Sequence, residues 1–122
     1  MEWEFAPDIQ KRLVELSRAK AFVHVDAKMI TAMRGFGSTS RAIARIWSLP
    51  RVWQLVLKIK PQYIIEVIAN RFDKMSVEQQ DHTLIHELMH IPKTFSGALV
   101  PHKRGFRKKV DDHFTSWRKS GR

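Results

Sequence analysis

His86, Glu87 and His90 stand in the order His-Glu-x-x-His, and those residue types at that spacing can hold a metal ion and move a proton. On a helix, positions four apart share a face, so both imidazoles can reach one ion. Glu87, rotated onward, can touch a water beside that ion without ligating it. A metal-activated water with a carboxylate to take its proton is the machinery of hydrolysis. With six His and six Glu in 122 residues, chance produces the pattern in about one such chain in a hundred. Its surroundings therefore decide its weight.

Those surroundings predict a helix that begins and ends in the right places. Ser76-Val77-Glu78-Gln79 reads as a capping box, with Ser76 at the N-cap and Gln79 reaching back to its amide. Val77, Leu84, Ile85, Leu88 and Met89 fall on one side, and the His pair lies on the opposite flank from Leu84 and Leu88. Pro92 biases Ile91 away from helical geometry, and Ser96-Gly97 signals a turn. His102, twelve residues past His90, is the candidate third ligand. Two His, a third side chain and a water would make an open tetrahedral site; the other reading of His102 is an exposed loop residue beside Lys103 and Arg104. His82 precedes His86 by one turn and is expected to drift out of reach, lining the cleft or facing solvent. A further group to stabilise an oxyanion is not assigned, with His113, Tyr63 and Arg104 as candidates.

The whole run from Ile85 to His102, including Ile91-Pro92-Lys93-Thr94-Phe95-Ser96-Gly97-Ala98-Leu99-Val100-Pro101, resembles the signature of an uncharacterised archaeal and viral metallopeptidase family of zincin (HExxH) type. The resemblance extends upstream through Arg45-Ile46-Trp47 and Tyr63-Ile64-Ile65-Glu66-Val67-Ile68, covering about two thirds of the chain. It implies that His86, His90 and His102 bind zinc (Zn2+), that Glu87 is the catalytic base, and that the substrate is a peptide or protein.

Several elements must position these residues. Pro7-Asp8 opens a helix to about Lys20 with Ile9, Leu13 and Leu16 as its apolar stripe. Ala21 to Val25 reads as a short strand containing a half-buried His24, and Gly35 to Ser40 as a loop. Arg41 to Trp47 alternates like a strand and Leu49-Pro50 ends it. Arg51 to Ile59 suits a short helix or an irregular segment. Tyr63 to Ala69 is the firmest strand, bounded by Pro61 and Asn70, and is read as leading directly into the motif helix. Arg107 to Lys119 forms a C-terminal helix carrying Val110, Phe114 and Trp117. The expected fold is α+β: a minimal zincin-like domain over 1–122, with an N-terminal helix, a small mixed β-sheet, the active-site helix and a C-terminal helix.

Composition narrows the class further. An apolar content of 43% with 28% charged residues is that of a globular chain. With no cysteine, thiol catalysis, disulfides and Cys-zinc knuckles are excluded. Met1-Glu2-Trp3-Glu4-Phe5 lacks the character of a signal peptide, and no apolar run approaches membrane-spanning length. The expectation is a cytoplasmic protein with no membrane partner.

The net charge of +10 is unevenly spread: Ala27 to Ile65 holds seven Lys/Arg and no acid, and Pro101 to Arg122 eight Lys/Arg. This is either a nucleic-acid or other polyanion surface or a solubilising one. Two alternatives to a peptidase follow. One is a metal-dependent hydrolase of nucleic acid or nucleic-acid-bound protein. The other is a non-catalytic basic zinc-binding module.

Overall fold

Residues 2–120 are described by the structure, a computed structural model. In chain order the elements are β1 (Glu2–Phe5), α1 (Pro7–Ser17), β2 (Ile30–Phe36), β3 (Ala44–Ser48), α2 (Arg51–Leu57), β4 (Tyr63–Ile68), α3 (Ala69–Phe72), α4 (Val77–Leu88) and α5 (Phe106–Lys119). The strands form one mixed sheet in the order β1-β2-β4-β3. The β-branched run of β4 sits inside it, parallel to β2 and antiparallel to β3. β1 closes the other edge, antiparallel to β2. The expected α+β class and mixed sheet are what the chain forms.

Strand alternation sorts the two faces of the sheet. Ile30 and Ala32 of β2 pair in register with Tyr63 and Ile65 of β4, and with Val67 they are buried. Ile9, Leu13 and Leu16 of α1, Leu84, Ile85 and Leu88 of α4, and Phe106 and Val110 of α5 join them in one core. Each such side chain contributes about 1.5–3 kcal/mol on burial. α4 is thus held by its apolar back far more than by the exposed pair between Arg118 and Glu78, a type worth about 0–1 kcal/mol. The opposite face carries Trp3, Phe5, Trp47 and Ile64 in the open, with Glu66 buried among them. Its carboxylate accepts from Arg45 Nε at 2.9 Å and Trp47 Nε1 at 2.8 Å, and these donors hold it below the usual carboxylate range against the opposing cost of burial.

β1 reaches only as far as Met33, leaving the start of β2 without that neighbour. Gln10 of α1 substitutes for a strand there. Its Nε2 donates to Ile30 O at 2.7 Å and its Oε1 accepts from Ala32 N at 2.7 Å. α1 is thereby fixed to the sheet before it meets α4.

Several local expectations are corrected. Ala21 to Val25 is not a strand: Lys20–Phe22 is a 3-10 turn, closed by Phe22 N to Ala19 O at 2.9 Å. Phe22 plugs the core while Val23 is exposed, an alternation that one buried aromatic in a turn satisfies as well as a strand does. His24 lies beyond that turn and its Nε2 is 3.1 Å from Ile91 O. Gly35 and Phe36 belong to β2 rather than to a loop, and the chain turns only at Gly37, with φ 77°. β1 and β2 are strands the sequence reading omitted. β3 begins at Ala44, not Arg41. β4 ends at Ile68, and the single turn of α3 separates it from the motif helix.

Candidate metal centre

α4 starts where its sequence says. Gln79 N donates to Ser76 Oγ at 3.1 Å and Ser76 N to Gln79 Oε1 at 3.2 Å, completing the capping box. Two neighbours set its orientation. Arg12 of α1 reaches Asp81 at 2.6 Å and Gln80 at 2.7 Å. His82 meets Asp111 of α5 at 2.7 Å, and its ring sits edge-on to Phe114. The His82 ring is thus committed to α5 rather than joining the other histidines.

The helix ends at Leu88 and Met89 caps it, so His90 occupies the turn just beyond, its amide donating to Glu87 O at 3.1 Å. The chain then reverses through Phe95, φ 47°, and Gly97, φ 95°. A side chain at Gly97 would strike Gln54 Nε2 and come within 2.7 Å of Leu49 O, so both the backbone angle and the space require glycine. Val100 then locks onto His90 twice: its amide donates to His90 O at 2.7 Å, and its carbonyl accepts from His90 Nδ1 at 2.6 Å. That second bond fixes the tautomer and leaves the Nε2 lone pair free.

This return brings His102 to the helix. Its Nε2 lies 2.9 Å from that of His86, and ligand nitrogens of His86, His90 and His102 all fall within 4.8 Å of one another. A tetrahedral zinc site sets its nitrogens about 3.3 Å apart, so the three rings match a small cation with side-chain adjustment alone. Their chemistry matches too. Burial, reinforced by the repulsion of His90 and His102, pushes His86 down to about 4, and burial lowers His90. Both are neutral at pH 7, the form that binds metal. Phe106 floors the cluster, with ring centroids 5.2, 4.8 and 5.0 Å from His86, His90 and His102.

Glu87 follows His86 directly, lines one cavity with it, and is 7% accessible. Burial pushes its carboxyl up to about 7, the range in which a group can both take and return a proton near neutral pH. A cavity of about 280 Å³ opens beside it, lined by Ile43, Ala44, His82, Thr83, His86 and Glu87. A second, of about 480 Å³, adjoins His86 and His102 and is walled by Lys103, Gly105, Phe106, Arg107 and Lys108. The two cavities share His86, one facing the start of β3 and the other the basic residues around the start of α5.

Two residues of this site escaped the sequence reading in their actual roles. Phe106 gives no signal, since a Phe opening a helix is ordinarily core. Tyr63, considered for the oxyanion, is instead a clamp: its hydroxyl accepts from Gly97 N at 2.9 Å and donates to Ala98 O at 2.9 Å, while its ring packs on Phe95. His113 packs toward Phe22, and Arg104 is exposed. Tyr63→Phe is expected to cost about 1–3 kcal/mol of stability by stranding two loop groups. It should also weaken metal binding by about ten- to a hundredfold through the slackened return. Chemical denaturation and metal titration of the variant check both numbers.

A sequence model of the putative phage metallopeptidase family matches residues 1–120, and the chain belongs to that family. No curated protein and no solved structure matches it.

Proposed function

We propose that the chain is a zinc peptidase that hydrolyses peptide bonds, with His86, His90 and His102 as the metal ligands and Glu87 as general base. The observation that carries this is the convergence of three imidazoles, His86 and His90 among them held neutral by burial, next to one buried carboxylate of raised pKa. Membership of a metallopeptidase family supports a peptide or protein as substrate. Zinc at such a site supplies a Lewis acid for the scissile carbonyl and brings the pKa of water to about 7.

The chain's own residues do the rest. Glu87 accepts the proton of the attacking water and delivers it to the departing nitrogen. The Val100 carbonyl holds His90 in the ligating tautomer. Among the described residues β3 pairs with β4 alone, which leaves its outer edge without a strand neighbour where Ala44 lines the cavity shared with Glu87. An extended peptide can add to such an edge through main-chain hydrogen bonds, which aligns its scissile bond. Lys103, Arg107 and Lys108 give the cavity beside His86 and His102 a positive potential that attracts acidic flanks of a substrate.

The test is removal and return of the metal. Chelator treatment should abolish cleavage of a quenched-fluorescent peptide library, and stoichiometric zinc should restore it. Peptide cleavage that persists in fully chelated protein would refute the reading.

A further inference from the structure

The helix α2 is turned inside out. Val52, Trp53, Leu55, Val56 and Leu57 are 64, 53, 62, 67 and 49% exposed, and Ile59 just beyond is 45% exposed. The buried member is the polar one, Gln54, whose Nε2 donates to Leu49 O at 2.8 Å and Ser96 O at 2.9 Å. The helix is thus pinned to the body through an amide and offers its apolar side chains to the surroundings. Lys58, in the left-handed region at φ 56°, ends it. Contiguous apolar exposure of this kind marks a surface that is covered in use.

The flanks say by what. Arg51 precedes the apolar residues, and Lys58 and Lys60 bracket Ile59. Among the described residues none of the three meets a carboxylate at ion-pair distance. No acid lies anywhere between Ala27 and Ile65. A second copy of this chain is a poor match, because it would bring the same cations and another +10 against them.

The shape excludes a simple protein groove. At 3.6 residues per turn, positions 52, 53, 55, 56 and 57 span an arc of about 200°, twice the stripe of about 100° that a helix lays against a rigid partner. A fluid hydrocarbon layer wraps a knob on all these sides, with Trp53 at its boundary and Lys58 and Lys60 extending back to the headgroups.

We propose that α2 is a membrane-surface anchor that inserts into the interface of a bilayer containing anionic phospholipid. Among the described residues no helix is long and apolar enough to cross a membrane; a seven-residue helix lies on one. This departs from the expectation of no membrane partner, which rested on the lack of a spanning run. It is independent of the metal site.

The experiment is flotation of the intact protein with vesicles of phosphatidylcholine alone or mixed with phosphatidylglycerol. Mixed vesicles should carry the protein up, at least about tenfold better than phosphatidylcholine alone. The triple variant Trp53→Ser, Leu55→Gln, Val56→Gln alters exposed positions only and should keep its melting temperature while losing at least about tenfold in binding. Arg51→Gln with Lys58→Gln and Lys60→Gln should weaken binding severalfold and flatten its salt dependence. The proposal is overturned if mixed vesicles do not carry the wild type. It is equally overturned if the apolar triple variant floats as well as wild type, which would place binding on the basic surface elsewhere. A dimer in light scattering that this variant dissociates would assign the surface to a second copy instead.

Discussion

Glu87→Gln is expected to lower kcat by about a hundred- to ten-thousandfold while leaving KM and metal content close to wild type. Gln keeps the size of the side chain and its place next to the histidine cluster, and removes only the capacity to accept a proton. As the proposed base, the same residue should set the acid limb of the rate profile. The base must be ionised to act, and burial pushes its carboxyl up to about 7. Activity therefore falls as pH drops through that range, with the midpoint displaced lower when a cation is bound nearby.

Stability should move the other way. In the metal-free protein a buried carboxylate resists ionisation, so its raised pKa contributes stability that is fully present below the ordinary value of 4.5. That contribution is lost as pH rises through about 7. At pH 8 the metal-free Glu87→Gln protein should be more stable than metal-free wild type by up to about 3 kcal/mol, and at pH 4 nearly equal to it. Equal stability of the two at pH 8 would mean that Glu87 is not buried as described.

His90→Ala carries the second large effect, because His90 is both a proposed ligand and the post to which the return loop is tied. Its loss should abolish activity and weaken metal binding by well over about a hundredfold, beyond the range expected for an outer-shell partner. It also removes the ring donor from the Val100 carbonyl, costing the metal-free fold about 1–3 kcal/mol. His102→Ala separates the two contributions. His102 is exposed, so its substitution should leave metal-free stability within about 0.5 kcal/mol yet remove the thermal shift that a bound metal gives. Urea titrations of the two variants, with and without metal, measure the difference.

What the sequence made legible was whatever depends on local chemistry. The capping box at Ser76 and Gln79, the stop near Pro92 and the β-branched run of β4 all lie within one element each. β2 was hidden because its residues serve two environments. Ile30 and Ala32 face the core, Thr31 and Met33 the open sheet face, and Arg34 turns to Asp8 and Asp73. β1 exists only through its pairing with Phe36 to Met33, a distant partnership that four residues cannot announce. The site divides in the same way. The His86 and His90 pair is a matter of helical spacing, whereas the approach of His102 depends on Gly97, Val100 and the hydroxyl of Tyr63 from the middle of the sheet. Eleven intervening residues permit that return without specifying it.

The measurement closest to the central claim is the zinc content of purified wild type and His102→Ala by elemental mass spectrometry, after reloading and desalting. About one zinc per wild-type chain is expected and essentially none retained by His102→Ala, with Glu87→Gln keeping its metal. A wild type that takes up no zinc, or a His102→Ala protein that holds zinc as firmly as wild type, would contradict it.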